Sequence, residues 1–135
     1  MSWPELDWGD VEQAVTLWLR SRHPAPVRVV QELPADLEKK LPLFQVQVTP
    51  GGGEVGTSGV TLIDLDTFAA TRGAMWELAN AGRTSMLALA GQHVGGLVID
   101  TVSTDVRPAP VAYGSPALRR AVATYRLTSR AQAPA

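Results

Sequence analysis

The sequence predicts an α+β fold, a mixed and mostly antiparallel sheet of about four to five strands with two flanking helices, in the order α-β-β-β-α-β-β. Three observations carry this expectation. Residues 60–89 alternate with a period of two and then switch to a helical period, so one strand leads directly into one long amphipathic helix. Residues 43–49 alternate Phe44, Val46 and Val48 against Gln45 and Gln47. Residues 121–128 set Ala121, Ala123, Tyr125 and Leu127 against Val122, Thr124 and Arg126.

Taken in order, residues 1–9 read as an arm holding Trp3 and Trp8. These tryptophans either pack back over the domain or, for at least one of them, anchor a partner, where buried Trp is favoured. Asp10 opens the first helix as N-cap, with Gln13 three residues on. Val11, Ala14, Val15 and Trp18 form its buried stripe, and His23-Pro24 ends it. A short strand is expected at 27–33, and a polar, charged connection at 34–42.

Residues 50–59 hold five of the twelve glycines and read as a mobile loop between two antiparallel strands; deleting 51–58 is expected to leave the fold intact. The following strand puts Val60, Leu62, Asp64, Asp66 and Phe68 on one face, and Ile63, Leu65, Thr67 and Ala69 on the other. Thr71 caps the second helix, whose stripe is Met75, Leu78, Gly82, Met86 and Leu89. The chain turns back at 91–96 and forms a strand at 97–103. Residues 105–116, with three prolines, read as an extended exposed connection. Residues 129–135 read as a flexible tail. One domain spans 1–135, without internal repeats.

The 135 residues are 45% hydrophobic and 19% charged with net charge −1, so gripping nucleic acid through its phosphates is not the expected task. Cysteine is absent, which excludes disulfides and thiolate metal sites. No apolar run reaches bilayer-spanning length, and the opening MSWPELDWGD has no basic-then-apolar signal pattern; a soluble intracellular protein with no membrane partner is expected.

Little in the chain points to catalysis. The glycine run lacks the lysine and following helix of a P-loop. His23 and His93 have no metal-ligand spacing, and no nucleophile elbow is present. Asp64, Asp66 and Asp100 could converge on a divalent cation; the plainer alternative is that they face solvent, a neighbouring subunit or an arginine. The basic cluster Arg119, Arg120, Arg126 and Arg130 is either a DNA-binding stripe or a set of ion-pair partners. No catalytic residue, metal or cofactor is expected.

Several segments, in their order, resemble the tail terminators of long, non-contractile-tailed bacteriophages, and the likeness covers most of the chain. They are DVEQAVTLWLRSRHP, VRVV followed by Leu-Pro, PLFQVQVTPGGG, LIDLDTFAATRGAMWELA and AVATYRLTSR. The family pattern sits here on Gly51-Gly52, on the run from Asp64 to Ala69, on Arg72-Gly73-Ala74 and on Tyr125 to Thr128. Gly73 departs from it, since the pattern prefers a better helix former. The resemblance implies an α+β virion protein, assembled in the host cytoplasm, that forms a six-membered ring on the head-proximal end of the tail tube. It would stop polymerisation of the tube protein and offer a docking surface to the head-tail connector, or stopper, while DNA passes through the lumen unread.

On that reading Gly51, Gly52, Gly53, Glu54 and Val55 are expected to contact tube or connector. Arg107 and Tyr113 reach a neighbour, Asp64 and Asp66 pair with Arg72 or Arg126, and Trp3 anchors a partner. The competing expectations are another neck or head-tail adaptor (completion) protein and a metal-dependent phosphodiesterase.

Overall fold

In the computed structural model, which describes residues 8–131, both expected N-caps are made. The Asp10 carboxylate accepts the Gln13 backbone N–H at 2.9 Å at the start of α1 (Val11–Arg22). The Thr71 hydroxyl accepts the Ala74 N–H at 3.2 Å at the start of α2 (Arg72–Ala88). Each cap satisfies a donor that the first helical turn leaves unpaired.

Six strands are β1 (Arg28–Val30), β2 (Leu43–Val55), β3 (Ser58–Ala69), β4 (His93–Val94), β5 (Leu97–Val111) and β6 (Arg119–Arg130). They form one sheet in the order β1-β2-β3-β6-β5-β4, with β1–β2 the parallel pair and the rest antiparallel. The α+β class is as the sequence predicts. The sixth strand is β4, a two-residue pairing inside the 91–96 reversal, too short to leave an alternating pattern.

Both helices lie on one face, α1 against β2 and α2 against β3, β5 and β6. Val15, Leu19, Phe44, Ile63, Leu65, Met86, Tyr125 and Leu127 meet there in the main core. Gly82 lets α2 approach the sheet closely: a Cβ would lie 2.8 Å from the Phe44 ring and 3.1 Å from Leu65. On the opposite face, Leu37, Leu43, Phe68 and Leu118 make a smaller core at one end. The 34–42 connection is thus less plainly polar than its charge suggested, because Leu37, in a single 3-10 turn, is buried by it.

Three expectations are corrected. The glycine run is not a loop. β2 continues through it to Val55, and a two-residue turn, Gly56-Thr57, returns the chain with Val55 opposite Ser58. Gly56 at φ +59° supplies the left-handed first position that such a hairpin turn requires. Between Thr49 and Gly53 the register shifts, and Gly51 at φ +122° and Gly52 build that bulge. A Cβ on Gly52 would lie 2.1 Å from the Val60 carbonyl oxygen. Deletion of 51–58 would therefore remove paired strand, its bulge and its turn rather than a loop.

Residues 105–116 are not wholly connection either, since β5 runs to Val111 and pairs with β6 as far as Arg120. Its register shifts absorb irregular backbone, and Pro108 and Pro110 are tolerated because no strand lies beyond this part of β5 among the described residues. The tail also begins later than expected. Ser129 is buried within β6, and the Ala131 N–H donates to the Thr57 carbonyl at 2.8 Å. Of the arm, Trp8 is described: it packs over Gly59, where a Cβ would meet its ring at 2.8 Å. Trp3 lies outside the described residues, so its expected partner-anchoring role does too.

Candidate assembly surfaces

The sheet face away from the helices is open beyond the Phe68 cluster, and β6 organises it. β6 lies between β3 and β5, so alternate side chains reach carboxylates on both neighbours. Arg120 donates to Asp66 through Nη2 at 2.6 Å and Nε at 3.1 Å. The Thr124 hydroxyl donates to Asp64 at 2.7 Å. Arg126 meets Asp105 on β5 at 3.0 Å, and Arg130 meets Asp100 at 3.0 Å. Four carboxylates thus face three guanidiniums, and the face is polar yet almost self-neutralised.

Asp64 and Asp66 share this face, as their alternation implied, but Arg120 is the partner of Asp66 rather than Arg72 or Arg126. Arg126 belongs to Asp105, and Arg72 stacks over the Trp76 ring with 5.9 Å to its centroid. The register that places residue 120 beside residue 66 is set by the whole β3–β6 ladder, so nothing local in the sequence announces it. Of the basic cluster, Arg120, Arg126 and Arg130 are ion-paired within the chain, whereas Arg119 donates to the backbone carbonyls of Pro116 and Leu118.

Asp66 is only 3% exposed. Burial raises its pKa above the ordinary carboxylate value; the hydrogen bond and charge of Arg120 pull the other way, and Asp64 adds a further upward push. Asp64, Asp66 and Asp100 do not gather: each is held by a different β6 side chain, and among the described residues no group of three His, Asp or Glu is arranged to hold a metal.

The two edges of the sheet are the other candidate surfaces. β1 covers the outer edge of β2 only at Leu43–Gln45, and beyond that this edge borders no strand among the described residues. This edge carries the expected Gly51, Gly52, Gly53, Glu54 and Val55. The Trp8 indole N–H donates to Glu54, and Val55 is 73% exposed. β4 covers β5 only at Leu97 and Val98. Beyond that point, α2 and β5 flank an open groove of about 880 Å³, lined by Trp76, Asn80 and Arg83 of α2 and by residues 105–109 of β5, among them Asp105 and Arg107.

Arg72, Trp76, Asn80 and Arg83 recur at helical spacing and form one stripe of α2 along this side. Sequence reasoning missed Trp76 and Arg83, although that spacing was a usable signal. Tyr113 follows β5 and meets Phe68 edge-on, with ring centroids 5.6 Å apart, while staying 40% exposed.

At the other end of α2, Ser85 gathers α1. Its carbonyl accepts the Trp18 indole N–H at 2.7 Å, and its hydroxyl lies 2.8 Å from His23 Nε2 and 3.2 Å from Arg22 Nε. Burial, then the Arg22 charge, lowers the His23 pKa. Among the described residues no helix is long and apolar enough to cross a membrane. No protein-family model matches the chain, and no curated protein does.

Proposed function

We propose that this chain is the subunit of a ring that caps the head-proximal end of a phage tail tube, stops its polymerisation and receives the head connector. The observation that carries the reading is the open sheet face, where arginines of β6 are matched by aspartates of β3 and β5. A surface past which duplex DNA must slide has to be wetted but must not hold phosphates. Free arginines would release counterions and bind; arginines already paired release few. The order of motifs shared with tail terminators supports the same reading. Two strand edges of different composition suit a ring, because a head-to-tail interface joins unlike patches.

The test is electron microscopy of particles assembled without this protein. Overlong, headless tubes are the expected result. Tails of normal length that fail to join heads would make the chain an adaptor instead, and intact infectious particles would overturn the proposal.

A further inference from the structure

We infer that the two sheet edges are complementary halves of one contact between copies of this chain: the hairpin end of one copy, with Trp8 and Glu54 on one side and Val55 at its rim, docks in the Trp76–Arg83–Arg107 groove of the next. The inference rests on the ring reading for its closure, but the contact itself stands on the surface chemistry.

The groove carries an excess of positive charge, because the one carboxylate among the described residues that line it, Asp105, is taken by Arg126. Among the described residues, neither Arg83, Arg107 nor the adjoining Arg72 has a carboxylate within salt-bridge distance, unlike the paired arginines of β6. Trp76 gives the groove an aromatic floor, and Val106 at its rim is 52% exposed. Aromatic and arginine side chains together are what protein interfaces concentrate at their centres.

The opposite edge offers the converse. Glu54 is exposed and has one carboxylate oxygen held by the Trp8 indole, which leaves the other for a guanidinium. Trp8, packed over Gly59 beside Glu54, is 38% exposed, and Val55 at the strand's end, facing the other side of the sheet from Glu54, is the most exposed large apolar side chain of the described residues. Both Trp8 and Glu54 lie toward the helical layer, as does the groove. A copy rotated about a ring axis can therefore meet its neighbour without turning its sheet face over.

The edges are also poorly suited to meeting copies of themselves. Glu54 against Glu54 or Arg107 against Arg107 would bring like charges together, so a head-to-tail contact is preferred over an isologous one. Pro108 and Pro110 remove N–H donors from the β5 edge. The neighbour is accordingly held by side chains in the groove rather than by an extended backbone ladder.

The chain has no cysteine, which makes crosslinking clean. Val55→Cys protein is mixed with Val106→Cys protein at millimolar concentration under mild oxidation, and each is also oxidised alone. The expected result is a disulfide-linked dimer in the mixture, weaker or no dimer from either variant alone, and a ladder of multimers from the double variant. Dimers from Val55→Cys alone as abundant as those in the mixture, or no crosslink in the mixture, would overturn the contact.

Charge swap gives a second readout on sedimenting size. Glu54→Arg and Arg107→Glu should each abolish self-association, and the double swap should restore it. Failure of the swap to restore association would also count against the pairing. The outcomes separate this contact from the functional reading. A ladder formed by protein that does not affect tube length keeps the contact and loses the terminator role. Normal capping by a variant that cannot ladder keeps the role and loses the contact.

Discussion

The Asp66–Arg120 pair is asymmetric, since Asp66 is nearly buried while the Arg120 side chain keeps 29% of its surface. Because the folded-state pKa of Asp66 is raised, the stability it contributes is full below its unfolded value, about 3.9, and is lost as pH rises through the folded value. The ionised carboxylate is therefore tolerated rather than stabilising. Arg120→Met, which strands it, should cost about 3 kcal/mol in urea unfolding at neutral pH, whereas Asp66→Asn should cost less than about 1 kcal/mol. Equal losses would refute this account.

His23 has the opposite sign. Its lowered folded pKa means its stability is present above the unfolded value, about 6.5, and is lost as pH falls through the folded one. Melting temperature should accordingly drop between pH 7.5 and pH 5, and His23→Gln should flatten that drop; an unchanged slope would show that other groups carry it. At this scale the sequence was legible where partners are local: Asp10 reaches Gln13 and Thr71 reaches Ala74, each three residues on. It was illegible where register decides, as for Arg120 and Asp66, or for Trp18 and Ser85 across two helices.

Among the elements, α1, α2 and the centres of β2, β3 and β6 follow from periodicity, because each buries one face and the burial dictates the pattern. The extensions of β2 and β5 do not, since glycine and proline in those stretches contradict strand propensity. Pairing with an already ordered neighbour overrides that propensity: β3 holds residues 53–55, and β6 holds residues 109–111. Glycine at 52 is required there rather than merely allowed. Gly52→Ala must push its methyl against the backbone carbonyl of Val60, which has no flexible end to yield, and should lower the unfolding free energy by about 1–3 kcal/mol. Gly53→Ala, with nothing within 4 Å of its added methyl, is the control and should be nearly silent. Similar losses from both would mean that the bulge is not the cause. For the same reason, removing 51–58, which deletes the bulge and turn but no buried core side chain, should lower the urea midpoint while leaving unfolding cooperative, which circular dichroism during urea titration would report.

At the scale of the molecule, the chain is nearly neutral and so is its open sheet face, but the neutrality has different origins. The overall charge is a sum over the surface, whereas on the face each of the three β6 guanidiniums is paired, Arg120 with Asp66, Arg126 with Asp105 and Arg130 with Asp100, leaving only Asp64 without a cation. On the proposed reading, this face stays indifferent to DNA only while its aspartates are present. The double variant Asp100→Asn/Asp105→Asn keeps the shape of both side chains and leaves Arg126 and Arg130 free, on a strand long enough to follow a phosphate backbone. It should bind duplex DNA at low salt, with log K falling against log salt at a slope of roughly −2 for two phosphate contacts per subunit. The unaltered protein should show no such binding under the same conditions. Fluorescence anisotropy with a labelled duplex across a salt series measures both. Strong, salt-dependent binding by the unaltered protein would mean that the paired arginines are available to phosphate after all, and the face would then have to be assigned to holding DNA rather than letting it pass.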